Sequence, residues 1–342
     1  CRPPWLPMDI EVLTLDEWGD ALPDSGFELF HAPEALRVLD QHSAGELRLY
    51  GGFKGDQPVG LFPVFVREQA VGRAVLSPPP GRGVPRLGPL VMPSSPKRRK
   101  REKVNGRFAE AVLDEIGVED SLTVFRTVCP TAYPDPRPYV WSDLDLDTSF
   151  TYHLDVPEDT DALLKSFSKS LRREIRDAKD LDVTVEVDDE DGPRAVFERT
   201  RDRYDEQDRP FRLTWPYVAD LTDALAENDR CRTYLVKDAE GRPLSGIVVL
   251  YSNDAAHYWL GGARTVHDGV SVNSLLHWRI IEDIADGVPR ESVDTYDLMG
   301  ANTERLCRYK AKFGADLVPY YSLESGGAAT AAAKTAYRLV SR

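Results

Sequence analysis

The feature that most constrains the fold is a pattern that occurs twice. In the first half, residues 47–53 lead through Lys54-Gly55-Asp56-Gln57 into Pro58-Val59-Gly60-Leu61-Phe62-Pro63-Val64-Phe65. In the second half, residues 232–236 lead through Lys237-Asp238-Ala239-Glu240-Gly241-Arg242 into Pro243-Leu244-Ser245-Gly246-Ile247-Val248-Val249-Leu250. Each copy reads as a strand, a polar glycine turn and a proline-led apolar strand. Each is followed by more strand, then a helix and another strand: 104–116 and 122–128 in the first half, 273–285 and 293–298 in the second. Any two hairpins look alike, so the shared order after the hairpin carries the inference. The expectation is an α/β (α+β) chain of two tandem modules, each a mixed, mostly antiparallel sheet flanked by helices.

The length of 342 residues suits two domains of ordinary size. Punctuation places the division near residue 150, between the turn-rich stretch 129–138 and a strand at 152–156. We therefore expect modules at 8–150 and 151–325. A Gly- then Ala-rich tail at 326–342 reads as a weak terminal helix without chemistry. Cys1 to Pro7 precede the first methionine, Met8, and read as an upstream remnant. Residues 77–96, crowded with Pro and Gly, read as a long loop, either covering a cleft or simply mobile at the surface.

Forty-three basic residues against 57 acidic ones give a formal charge of -14, which excludes a general nucleic-acid coat. An anionic partner must then meet a local basic patch. Four widely spaced cysteines indicate neither a zinc site nor a disulfide framework, so no metal is expected and a reducing cytoplasm is the default. No apolar run approaches the ~18 residues of a membrane span.

Two basic elements stand out. Across 161–179, Leu164, Phe167, Leu171, Ile175 and Ala178 form a core-facing helical stripe. Lys165, Lys169, Arg172 and Arg176 line another face of the same predicted helix. They are either offset by acidic neighbours or form a rail for phosphates and carboxylates. The run Lys97-Arg98-Arg99-Lys100-Arg101-Glu102-Lys103 opens the first-half helix, where the dipole disfavours cations. Solvation would accommodate it, and contact with tRNA or a phosphorylated ligand would explain it.

Two further segments bear on chemistry. Tyr258-Trp259-Leu260-Gly261-Gly262 ends a strand in small residues that permit close approach of a ligand, and Ser271 or Asn273 is expected to cap the helix that follows. Near the C-terminus, Asn302 or Thr303 caps a helix that Gly314 stops. Leu306, Lys310 and Phe313 share its apolar line. A lysine drawn to a packed face must either snorkel to solvent or meet a partner, for which Asp297 is the candidate.

Together these residues resemble the Fem-type, GNAT-like acyltransferases. The resemblance rests on the helix Ser168-Lys169-Ser170-Leu171-Arg172-Arg173-Glu174-Ile175-Arg176-Asp177-Ala178, the strands Tyr258-Trp259-Leu260-Gly261-Gly262 and Tyr296-Asp297-Leu298-Met299-Gly300, and the signature Tyr309-Lys310-Ala311-Lys312-Phe313-Gly314. It implies two GNAT-like modules sharing a cleft and transfer of an acyl or aminoacyl group to an amine. Lys310 would lie near the reacting centre with Asp297 holding it. Lys169, Arg172, Arg176, Trp259, Gly261, Gly262 and Asn302 would contact substrates, and the donor would be acyl-CoA or aminoacyl-tRNA. One segment departs from the pattern: Arg264-Thr265-Val266-His267-Asp268-Gly269 has His267 where a pyrophosphate-cradling loop carries its first glycine, and Asp268 adds a negative charge beside it. A non-catalytic binding or assembly protein on the same scaffold is the competing reading.

Overall fold

The computed structural model describes residues 8–92, 95–120, 122–262 and 265–326. The expectations for 1–7 and for the tail beyond 326, and for Arg264, fall outside these residues. Two compact units result: residues up to Ser149 with those from Pro319 on, and Phe150–Val318.

The first unit begins with β1 (Ile10–Val12), α1 (Leu15–Ala21) and α2 (Pro33–His42). The hairpin of β2 (Glu46–Lys54) and β3 (Gln57–Glu68) follows, then β4 (Arg73–Ser77), β5 (Leu90–Val91), α3 (Arg98–Ile116), β6 (Thr123–Val128), α4 (Arg137–Trp141) and the start of β7 (Leu144–Asp155). The second unit holds the rest of β7, then α5 (Thr160–Ser166), α6 (Lys169–Lys179), β8 (Val183–Val187), α7 (Gly192–Glu206) and α8 (Trp215–Ala226). Its hairpin is β9 (Cys231–Asp238) and β10 (Pro243–Tyr251), followed by β11 (Ala255–Gly261), the short pair β12 (Val266–His267) and β13 (Val270–Ser271), α9 (Asn273–Ala285), β14 (Thr295–Asp297) and α10 (Glu304–Lys310). The last strand, β15 (Asp316–Ser325), begins in the second unit and ends in the first.

In the first unit the order is β1-β2-β3-β4-β6-β15, antiparallel except for the parallel β4–β6 pair that α3 connects. In the second it is β7-β14-β11-β10-β9-β8, again with one parallel pair, β11–β14, connected through α9. The cores follow from apolar periodicity. Phe108, Val112 and Ile116 of α3 pack on Phe62, Val64 and Phe125. Phe167, Leu171 and Ile175 join Leu276, Ile280 and Ile284 of α9 over Ile247 and Val249.

Two expectations are corrected, on the helix across 161–179 and on Leu306. The helix expected across 161–179 is two helices, because Phe167 is extended and the Ser168 hydroxyl accepts from the Leu171 N–H, starting a new helix. Lys165 is therefore separated from the basic row. The 77–96 segment, where it is described, is tied into the first unit: Arg86 is buried in a bidentate pair with Glu28 at 2.7 and 3.1 Å, and Gly88 donates to Ser77 Oγ and accepts from His31 Nε2. Leu306 is exposed, so the packed side of α10 is set by Lys310 and, one turn on, Phe313.

Candidate active site

The parallel pairing of β11 and β14 runs through Ala255–Thr295, Ala256–Tyr296 and His257–Asp297. Past that point both strands depart from regular geometry. In β11, Tyr258 and Leu260 face Val249 and Val248, leaving Trp259 as the extra residue of a β-bulge. The chain after β14 turns through Met299 and Gly300 at φ of 57° and 53°. For Met299 this left-handed conformation costs roughly 1–2 kcal/mol. Bulges and strained backbone concentrate at working sites.

Lys310 bridges these two strand ends. Its side chain is buried, and Nζ donates to the carbonyls of Met299 and Gly300, the latter at 3.2 Å. On the β11 side Nζ lies 5.6 Å from the centre of the Tyr258 ring. Of the ammonium's three N–H groups, these carbonyls take two. Burial draws the Lys310 pKa down to about 8, against the opposing charge of Asp297. His277 closes the floor of the site: its ring packs against Tyr258, Tyr296, Tyr309 and Phe313, and Nδ1 lies 2.9 Å from the Tyr296 hydroxyl. Burial, helped by the Lys310 charge, lowers its pKa to about 3, so the imidazole is neutral.

Asp297 does not grip Lys310 directly. Its carboxylate is fully buried, accepts from Thr151 Oγ1 at 2.5 Å and the Met299 N–H at 2.8 Å, and stands 3.5 Å from both His153 Nε2 and His257 Nδ1. It thus fixes the turn whose carbonyls hold Lys310, and supplies the negative charge that favours the ammonium.

The other expected contacts divide. Trp259, half-buried at the bulge, belongs to the strand end that Lys310 faces. Gly261 and Gly262 answer to the protein's own packing. At φ of 101° and 67°, an added Cβ would overlap the Gly246 carbonyl at the first and the Tyr258 hydroxyl at the second. Asn302 uses both ends of its amide on the Phe150 backbone, at 2.9 and 3.1 Å, which makes it a strand clamp. Lys169, Arg172 and Arg176 are exposed on α6, where Arg176 pairs with Asp177 at 3.0 Å. Lys312, pointing away from the site, pairs with Glu174 of α6. The cap of α9 is Val272, whereas Asn273 turns inward to Gly262 O and Ser245. The departing segment forms an Asp-Gly hairpin: Asp268 and Gly269 sit at φ of 46° and 81° between β12 and β13. In the first unit, the basic run forms the exposed first turn of α3.

Sequence reasoning missed His257, His277 and Thr151. Periodicity marks them as ordinary strand or helix residues; the parallel β11–β14 register brings His257 to Asp297, the antiparallel β7–β14 pairing brings Thr151 there, and the packing of α9 brings His277 to Lys310. Among the described residues, no cluster of three or more His, Cys, Asp or Glu is arranged to hold a metal ion, and no helix is long and apolar enough to cross a membrane.

Comparison with curated protein sequences finds no match. Residues 165–311 match a family described as acetyltransferase (GNAT) domain. Among solved structures, the crystal structure of FemX superposes with a TM-score of 0.67 at 12% identity, covering 92% of this chain and 97% of that one. The C-terminal domain of a putative lysylphosphatidylglycerol synthetase from Agrobacterium fabrum gives 0.55 at 12% identity over 95% and 96%. A tandem GNAT protein from the clavulanic acid biosynthesis pathway gives 0.51 at 13% identity over 94% and 99%. Lys310, Asp297 and the parting strands all lie inside the matched region, so this part of the chain is similar to a GNAT acetyltransferase domain, and the chain as a whole shares its fold with FemX and the tandem GNAT protein.

Proposed function

We propose that the chain is an N-acyltransferase moving an acyl or aminoacyl group from a thioester or ester donor, acyl-CoA or aminoacyl-tRNA, to an amine. The observation that carries this reading is the Lys310 ammonium, buried where β11 and β14 part. A donor carbonyl entering the gap would meet that ammonium, and charge developing on its oxygen during amine attack would be stabilised in a water-poor site. The amine forms the new C–N bond as the thioester or ester bond breaks, and its proton leaves with the departing group. Holding both reactants supplies much of the remaining acceleration. Asp297 serves as a positioning residue, through Met299 and through its charge. Lys169 and Arg172 on α6, exposed cations, suit phosphates of donor or acceptor. The two similar units are read as copies of one ancestral module.

The test assays acyl-CoAs and aminoacyl-tRNAs against a panel of amines. Lys310→Ala should lower turnover about 100-fold or more, the scale of losing one oxyanion donor, with an unchanged circular dichroism spectrum. Wild-type turnover in that variant would remove Lys310 from the mechanism. Heat of donor binding without any product would favour the non-catalytic scaffold.

A further inference from the structure

The first unit contains a cavity of about 670 Å³, within the ~300–1,000 Å³ typical of small-molecule sites. Leu90, Val91, Met92 and Tyr133 give it apolar walls, while Arg98, Arg101 and Arg137 project from the start of α3 and from α4. These cations are not equivalent. Arg98 and Arg137 share Glu102, at 3.0 and 2.9 Å, and Arg137 also pairs with Asp135 at 2.7 Å. Arg101 instead donates to the carbonyls of Ser95 and Pro96, at 3.3 and 3.0 Å. Carbonyl oxygens orient a guanidinium without cancelling its charge, so the chamber carries one positive charge in excess. Deeper in, Asn105 is buried and locked by the Tyr133 hydroxyl at 2.6 Å and the Asp135 carbonyl, which makes the wall rigid.

We propose that this cavity binds a small organic anion, a carboxylate or phosphate monoester with an apolar body. The anion would lie on Arg101 and the body against Leu90, Val91, Met92 and Tyr133. A guanidinium facing a concave apolar chamber recognises such a molecule bidentately. Extended RNA would instead use the outward-facing Arg99 and Lys100. The inference is independent of Lys310 and of the acyl-transfer reading.

The chain has three methionines, Met8, Met92 and Met299, which report separately on this cavity and on the Lys310 site. The full protein, labelled with ¹³C-methyl methionine, is titrated with octanoate, octyl phosphate, octanol and inorganic phosphate, and the Met92 signal is assigned with Met92→Leu. Octanoate or octyl phosphate should shift the Met92 methyl saturably while Met299 stays still, and the stronger of the two identifies the anion. Arg101→Gln, at an exposed position, should weaken that binding at least tenfold, and octanol should bind at least tenfold more weakly than either acid. Equal binding of octanol, or no effect of Arg101→Gln, would reduce the cavity to an apolar hole. No shift with any probe would refute the site, and Arg101-dependent binding of an RNA oligonucleotide that leaves Met92 unmoved would reassign the run to RNA.

Discussion

If Lys310 is as buried as its surroundings indicate, its ammonium should titrate near 8, far below the ordinary lysine value of 10.5. At ~1.36 kcal/mol per pH unit, that gap corresponds to ~3 kcal/mol of disfavoured charge. The sign is fixed by proton counting. Between about pH 8 and 10.5 the unfolded chain holds a proton that the folded chain has lost, so stability rises with pH across that window. Replacing Lys310 by Met removes this slope; the carbonyls of Met299 and Gly300 then lack their donor, which adds an offset that does not vary with pH. The direct assay is a ¹³Cε-lysine titration, tractable because the chain has only eleven lysines. One resonance, absent from Lys310→Met, should turn over near pH 8 while those of exposed lysines turn over above pH 10. Urea unfolding of both proteins should then show their stability difference changing by up to ~3 kcal/mol from pH 8 to 10.5. A Lys310 signal titrating at or above 10, with parallel stability curves, would refute the buried-cation reasoning, and with it the mechanism.

If the ammonium form does the work, turnover should fall on the alkaline side of about pH 8, whereas a lysine acting as base would make it rise there; the profile of kcat/KM decides. His277, held neutral with a pKa near 3, should make the protein acid-sensitive: the unfolded chain takes up a proton below about pH 6.5 that the folded one refuses, so stability falls by ~1.4 kcal/mol per unit toward pH 3, and His277→Leu should flatten that slope in urea titrations. Breaking the buried Arg86–Glu28 pair with Arg86→Met should cost ~3–5 kcal/mol by stranding a carboxylate, measured as a lower urea midpoint. Gly262→Ala should displace the Tyr258 hydroxyl and lower turnover along with stability, whereas Gly269→Ala, with open space around it, should cost only ~1 kcal/mol of backbone strain.

Most of the fold was legible because apolar periodicity and turn chemistry are local. The hairpins formed where glycine turns met proline-led strands, and α9 ran from Asn273 to Ala285 as its pattern indicated. What failed were inferences that required knowing a neighbour. Ser168 read as one more helical residue until its hydroxyl proved to start α6. At Gly261 and Gly262, read as points of close ligand approach, the spacing does not reveal that Gly246 O and the Tyr258 hydroxyl also occupy the space an added Cβ would take. Lys310 was visible as a lysine on a packed line, but its partners were not. A carboxylate is the obvious counterpart for an ammonium, and only the left-handed turn at Met299 and Gly300 presents two carbonyls in its place.

That substitution of partners has a chemical consequence. An ion pair with Asp297 would have held Lys310 fully charged and spent its donors on a carboxylate, leaving little for a substrate. Carbonyl partners orient the amine but leave most of the burial cost uncompensated, which is why its pKa falls toward the physiological range. Such a cation is poised: roughly nine-tenths protonated one unit below its pKa, yet destabilised enough that a developing oxyanion would repay its desolvation. Asp297, at the end of β14 two residues before that turn and already engaged by Thr151 and the Met299 N–H, tunes this balance through its charge. Asp297→Asn, which keeps the hydrogen bond to Met299 and removes only the charge, should therefore lower the Lys310 pKa further and move the alkaline limb of the rate profile to lower pH. An unmoved limb with reduced turnover would confine Asp297 to shaping the turn.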